Sequence, residues 1–247
     1  MGMEGRTCVV TGSSRGIGRG IAERFGEEGA NVVVNYRRSA EEAETVAESI
    51  EAAGGRAVTI KADVTNQGEV QEMRDRTHEA FGRIDVLVNN AGINQDVMFE
   101  NMTHEEWDTV LDIHLDGTFH ATQAFYEDLK EAEEGRLINI SSIVGKEGNL
   151  GQANYAAAKS GIFGFTRTLA LELARYGTTA NAIAPGFIKT NMLDGVPDKV
   201  LDRIRDDTPL QRLGEIDEIA SVVAFVASEE ASFMTGEVLD VNGGKDL

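Results

Sequence analysis

A single cysteine among 247 residues leaves no partner for an intrachain disulfide, so a reducing compartment is expected. That residue, Cys8, lies in the apolar stretch TCVVTG, where packing rather than reactivity is expected. Basic residues are also scarce. The 23 Lys and Arg stand against 42 Asp and Glu, and the net charge of -19 argues against a nucleic-acid or anionic-membrane surface. No apolar run is long enough to cross a bilayer. A strand-like segment begins within about six residues of the amino terminus, leaving no room for a secretory signal. Position 6 is Arg6, where a myristoylation signal following Gly2 requires Ser or Thr. A soluble cytoplasmic protein is the expectation. His78, His104 and His120 form no ligand grouping with carboxylates or cysteine, so no catalytic metal is expected.

What the chain does have is apolar content, 41%, ample for a core. Short β-branched runs alternate with long amphipathic segments: RTCVVTG, then a helix from about Gly16; NVVVNY, then one from about Ala40; RAVTIKAD, then one from about Asn66. IDVLVNNAG, a helix from about Thr103, RLINISS, a helix from about Asn154, TTANAIAPG, a helix from about Glu215 and a final EVLDV complete the series. Seven buried strands with helices between them predict an α/β fold, a Rossmann-like doubly wound sheet of mainly parallel strands. No linker, repeat or low-complexity segment interrupts it, so residues 1–247 are expected to form one domain. The polar, proline-containing region 186–213 follows a strand's carboxyl end and is expected to act as a mobile lid. Glu41, Glu42, Glu44, Glu48 and Glu51 crowd one exposed segment. Such acids are either ordinary solvated helix faces or a halophilic surface, hydrated by carboxylates whose repulsion salt screens.

The stretch VVTGSSRGIGRGIAERF runs from strand through glycine-rich turn to helix. Gly12, Gly16 and Gly18 allow a tight turn, close approach of a pyrophosphate and packing of helix on strand, with Ser14, Arg15 and Ile17 between them. A dinucleotide site is therefore expected. Where an NAD site places an acid at the end of the second strand, this chain has Tyr36 followed by Arg37 and Arg38. With Arg15 these guanidiniums suit the 2′-phosphate of NADPH.

Tyr155 and Lys159 are spaced four apart in NYAAAKSG and so share a helix face, a spacing that alone proves nothing. With TGSSRGIG, NNAG at 89–92, ISS at 140–142 and APG at 184–186, however, the chain resembles the short-chain dehydrogenase/reductase family over essentially its whole length. The resemblance implies that Tyr155 donates a proton to a carbonyl oxygen while Lys159 lowers the phenol's pKa and holds the nicotinamide ribose. It implies that Ser142 hydrogen-bonds the substrate oxygen, with Gln152 beside it in the substrate site. Asp63 and Val64 would contact adenine, Asn90, Ala91 and Gly92 the adenosine ribose side, and Pro185, Gly186, Ile188 and Thr190 the nicotinamide. Many relatives place Asn on the fourth helix to hold a relay water. Here the residue is His114, which either holds that water with an added pH dependence or is simply packed in the helix.

Within the family the chain looks most like 3-oxoacyl-thioester reductases. The acids of YEDLKEAEEGR, among them Glu131, Glu133 and Glu134, would repel an acidic carrier protein. Acetoacetyl-CoA, reduced to (R)-3-hydroxybutanoyl-CoA for polyhydroxyalkanoate synthesis, is thus the expected substrate. A 3-oxoacyl-[acyl-carrier-protein] reductase of fatty-acid synthesis is the alternative, and a non-catalytic NADPH-binding regulator a third reading. Phe163, Phe165 and Leu169 on the Tyr155 helix look too apolar for a solvent face, and relatives bury this helix in a homotetramer.

Overall fold

Apolar runs with no polar alternation can be buried on both faces, and the central strands are, while the two edge strands stay partly exposed. The computed structural model describes residues 2–190, 193 and 196–246. Its strands are β1 (Thr7–Val10), β2 (Asn31–Tyr36), β3 (Arg56–Lys61), β4 (Val86–Asn89), β5 (Arg136–Ile140), β6 (Thr179–Pro185) and β7 (Val238–Val241). They form one sheet in the order β3-β2-β1-β4-β5-β6-β7, every pair parallel. The helices are α1 (Gly16–Glu27), α2 (Ala40–Ala52), α3 (Gln67–Phe81), α4 (His104–Leu111), α5 (Gly117–Glu131), α6 (Val144–Glu147), α7 (Ala153–Leu173), α8 (Asp198–Asp206) and α9 (Ile216–Ala227). Local chemistry sets several starts. Asn66 caps α3 by accepting from Gly68 N at 3.0 Å, and capping boxes Thr103/Glu106 and Glu215/Glu218 open α4 and α9.

Alternate residues of each strand face opposite layers. Cys8 and Val10 join Ile21 and Phe25 of α1, Val46 and Ile50 of α2, and Val223 of α9. Val9 faces the other way, among Val70 and Met73 of α3, Phe125 of α5 and Leu173 of α7. As expected of it, Cys8 is buried, and burial pushes its thiol pKa up. Chain connections run one way from β1 to β3 and the other way from β4 onward, so the sheet switches direction between β1 and β4. At such a switch the loops leaving the carboxyl ends diverge and open a crevice.

Two departures from the sequence reading concern helices near that crevice. The helix expected to run unbroken from Thr103 is split by a π-helical turn, Asp112–Asp116, whose extra residue per turn rotates His114 inward. On α7, Phe163 and Phe165 are half-buried and Leu169 packs against the second core cluster, while Leu171 is 82% exposed. Leu171 is thus an exposed leucine among exposed Arg167, Thr168 and Glu172. Of the expected lid, residues 191, 192, 194 and 195 lie outside the described residues.

Candidate active site

The turn after β1 is built by backbone that only glycine accommodates. Gly12 and Gly16 sit at φ +63° and +58°. A Cβ at Gly12 would meet Ala91 Cα at 2.9 Å, and one at Gly18 would meet Gly12 O at 2.6 Å as well as the Asn90 amide. Arg15 stands at the amino end of α1 in an extended conformation and gives its first turn no side-chain hydrogen bond. The first amides therefore remain available to an anion. A concave backbone cradle under an uncapped helix start fits the pyrophosphate of a dinucleotide.

Asn35 and Thr11, which the sequence reading passed over, hold this cradle together with the expected Asn90. The Asn35 side chain accepts from Gly12 N at 2.9 Å and donates to Ile60 O and Ala62 O at 3.2 and 3.1 Å, joining the turn to the end of β3. Asn90 Nδ2 donates to Thr11 O and Gly12 O, while Thr11 Oγ1 accepts from the amides of Asn90 and Ala91. Their signal was short polar residues at strand ends inside apolar runs, where an unpaired amide or hydroxyl would be costly.

The tips of β2 and β3 carry the residues expected to meet the adenosine. Arg15, Arg37 and Arg38 are exposed there, and Arg37 is 3.5 Å from Asp63. Partial burial raises the Asp63 pKa, but hydrogen bonds from Thr65 and the Arg37 guanidinium outweigh it and hold the carboxyl below its ordinary value. Val64 is buried, and its carbonyl oxygen lies 3.0 Å from Nδ1 of His120. At the opposite end Thr190 Cγ2 is 4.0 Å from a Cβ built on Gly16, so the chain leaving β6 returns to the glycine turn. Pro185 O accepts from Ile143 N, Gly186 packs on Asn242, and Ile188 is buried.

Between these ends stand Ser142, Tyr155 and Lys159, brought together at the carboxyl edge of β5 by α7. Lys159 is 4% exposed, donates from Nζ to Ile140 O at 2.7 Å and lies 5.5 Å from the Tyr155 ring centroid. Its position is fixed by Ser141, whose hydroxyl donates to Lys159 O at 2.8 Å. Burial pushes the ammonium down to about 7. Burial also pushes the Tyr155 phenol up to about 12, against the lowering effect of a hydrogen bond with Ser142 and with the help of the Asp96 carboxylate. The sequence led to the opposite expectation, a phenol lowered by its lysine. Desolvation is the largest of these effects, and it disfavours the charged phenolate.

Two further candidates have definite places. Gln152 is buried at the amino end of α7, donating to Asp96 Oδ1 at 2.8 Å and accepting from Asn149 at 3.0 Å. His114 is buried with its ring centroid 5.1 Å from that of Tyr155. Burial and the Lys159 charge push the imidazole down to about 3 against a hydrogen bond to Ile93 O, so the pH dependence its ordinary value implied does not arise. Beneath the site Asn89 donates to Thr122 and Asn139, and Asn139 to Thr166, a buried polar chain across β4, β5, α5 and α7. Among the described residues no group of three or more His, Cys, Asp or Glu could hold a metal ion, and no helix is long and apolar enough to cross a membrane.

Comparison with known proteins is consistent with this geometry. A family model described as enoyl-(acyl carrier protein) reductase matches residues 12–246. A 3-oxoacyl-[acyl-carrier-protein] reductase of Staphylococcus epidermidis is 46% identical over 239 residues, covering 97% of this chain and 98% of its own. The Staphylococcus aureus protein of that name is also 46% identical, with 97% of each chain covered. One from Synechocystis is 43% identical over 240 residues, covering 97% and 96%.

Proposed function

The chain belongs to the short-chain dehydrogenase/reductase family, and from that premise we propose that it reduces 3-oxoacyl thioesters with NADPH, the acyl group being presented on an acyl-carrier protein. The observation that carries the reading is the meeting of Ser142, Tyr155 and Lys159 beside the glycine cradle. The α1 amides, with Arg15, Arg37 and Arg38 at the 2′-phosphate, would hold the dinucleotide, whose chemistry would be hydride donation to the 3-carbonyl carbon. Ser142 hydrogen-bonds the carbonyl oxygen and Tyr155 gives it a proton as negative charge develops. Because burial keeps the phenol protonated at neutral pH, the proton is present when needed. Losing it converts a neutral phenol into a phenolate beside Lys159. The ammonium is therefore worth most as the proton leaves, which is differential stabilisation of the transition state. Lys159 has N–H groups beyond the one given to Ile140 O, and these serve the nicotinamide ribose.

Two observations favour the carrier-bound substrate over the CoA thioester expected from the sequence. Relatives named for the carrier-linked reaction match nearly the full chain at 46% identity. The acids taken to rim the pocket sit elsewhere: α5 runs away from the site toward Glu131, a span of about 20 Å at the usual rise, and Glu133 and Glu134 precede β5 at the sheet's amino edge. They cannot repel a partner at the cleft entrance. The segment 186–213 is proposed to cover the substrate, and α7, through exposed Leu171 and half-buried Phe163 and Phe165, to pair with further copies of the chain in a homotetramer.

Mixing the protein with NADPH or NADH and a 3-oxoacyl thioester on carrier protein or on CoA, at low and at molar salt, tests the reading by nicotinamide absorbance. Faster oxidation of NADPH with the carrier-bound substrate is expected. No oxidation with any 3-oxoacyl thioester would reject the enzyme, leaving a nucleotide binder. Tyr155→Phe is expected to abolish turnover while NADPH still binds.

A further inference from the structure

Tyr155 does not stand alone in its pocket. The π-helical turn Asp112–Asp116 delivers His114 against it, ring planes at 88° and centroids 5.1 Å apart, an edge-to-face pair. Gly92 makes the room, since a Cβ there would collide with the imidazole Cε1. Nε2 lies 2.8 Å from Ile93 O and 3.2 Å from Ile93 N, so this one nitrogen meets both a backbone acceptor and a backbone donor. Nδ1 is buried, and none of the described residues offers it a hydrogen bond. Thr118 Oγ1 donates to His114 O at 2.7 Å and fixes the backbone behind it.

We propose that His114 is a positioning residue for Tyr155, its neutral ring wedged edge-on so that the phenol keeps the orientation that the reductase reading, on which this inference rests, requires of a proton donor. A proton carrier would need a change of charge and an exit for its proton. The groups that face this imidazole are Lys159 and Tyr155 from α7 and the Ile93 carbonyl from the loop after β4, with Asp96 acting on the Tyr155 side. The positive lysine and burial both oppose a charged ring. What remains is shape: a planar edge that closes the space behind the phenol and keeps water from it.

Two variants separate ring from hydrogen bond. His114→Phe keeps the edge and loses the bond to Ile93 O; His114→Gln keeps a donor for Ile93 O and loses the ring. With carrier-bound substrate, His114→Gln is expected to lower kcat about tenfold with KM nearly unchanged, while His114→Phe retains most of kcat. The ionisation of Tyr155, read as tyrosinate absorbance after subtracting the Tyr155→Phe background, should move to lower pH in the Gln variant and stay in place in the Phe variant. That titration needs no substrate, so it decides the role of His114 even if the wild-type protein reduces no thioester. Equal behaviour of the two variants, or an ionisation near neutral pH lost in both, would overturn the assignment. Should the Phe variant not fold, the Gln variant decides alone, an unchanged kcat and Tyr155 midpoint counting against the proposal.

Discussion

Lys159 is the least solvated charge in the site, and replacing it with methionine should make the protein more stable while ending catalysis. Its pKa falls from the ordinary 10.5 to about 7 on burial. At about 1.36 kcal/mol per pH unit, that shift of about 3.5 units (10.5 − 7) sets a ceiling of about 5 kcal/mol on the cost of the ammonium. Relaxation and water entry bring the expected gain at neutral pH to about 2 kcal/mol, after the lost hydrogen bond to Ile140 O is counted. The sign follows from proton counting. Between pH 7 and 10.5 the unfolded chain keeps a lysine proton that the folded chain has released, so wild-type stability rises with pH across that window. Lys159→Met lacks this rise. Urea unfolding of both proteins from pH 7 to 10 should therefore show a difference that is largest at pH 7 and shrinks toward pH 10, other groups cancelling in the comparison. A difference that stays constant with pH, or a Met variant less stable at pH 7, would refute the desolvation account.

Gly18→Ala should abolish dinucleotide binding at otherwise near-normal secondary structure, because its Cβ would strike Asn90 and crowd Gly12 O, 2.6 Å away, inside the cradle; fluorescence titration with NADPH is the check. Leu171→Glu should weaken self-association measured by light scattering, because a carboxylate would replace a leucine side chain 82% exposed on the outer face of α7.

The sequence made the strands, the glycine turn and the Tyr155/Lys159 pair legible, because each depends on spacing within a short segment. The order of the loops around the crevice follows from the alternation of strands and helices, with Ser142 and Gly186 falling at strand ends. Contacts between distant segments were not legible. Asn35 reads as a polar interruption of a valine run, and only the fold shows it spanning from Gly12 to Ala62. The position of Glu133 and Glu134 followed from helix direction, which a charge count ignores. The phenol's upward shift reflects burial contributed by several segments at once, whereas helical spacing reports only the neighbour one turn away. The π-helical turn at His114 has no spacing signal, since 112–116 fits an ordinary helix equally well.

The three bonds of the Asn35 amide tie together backbone that would otherwise flex separately, the glycine turn on one side and the end of β3 on the other. A long, jointed dinucleotide bound as proposed would thus meet a surface whose parts hold a set separation. A ligand that matches that separation settles onto ground already shaped for it, and the entropy that a looser surface would lose on binding is lost earlier, when the chain folds.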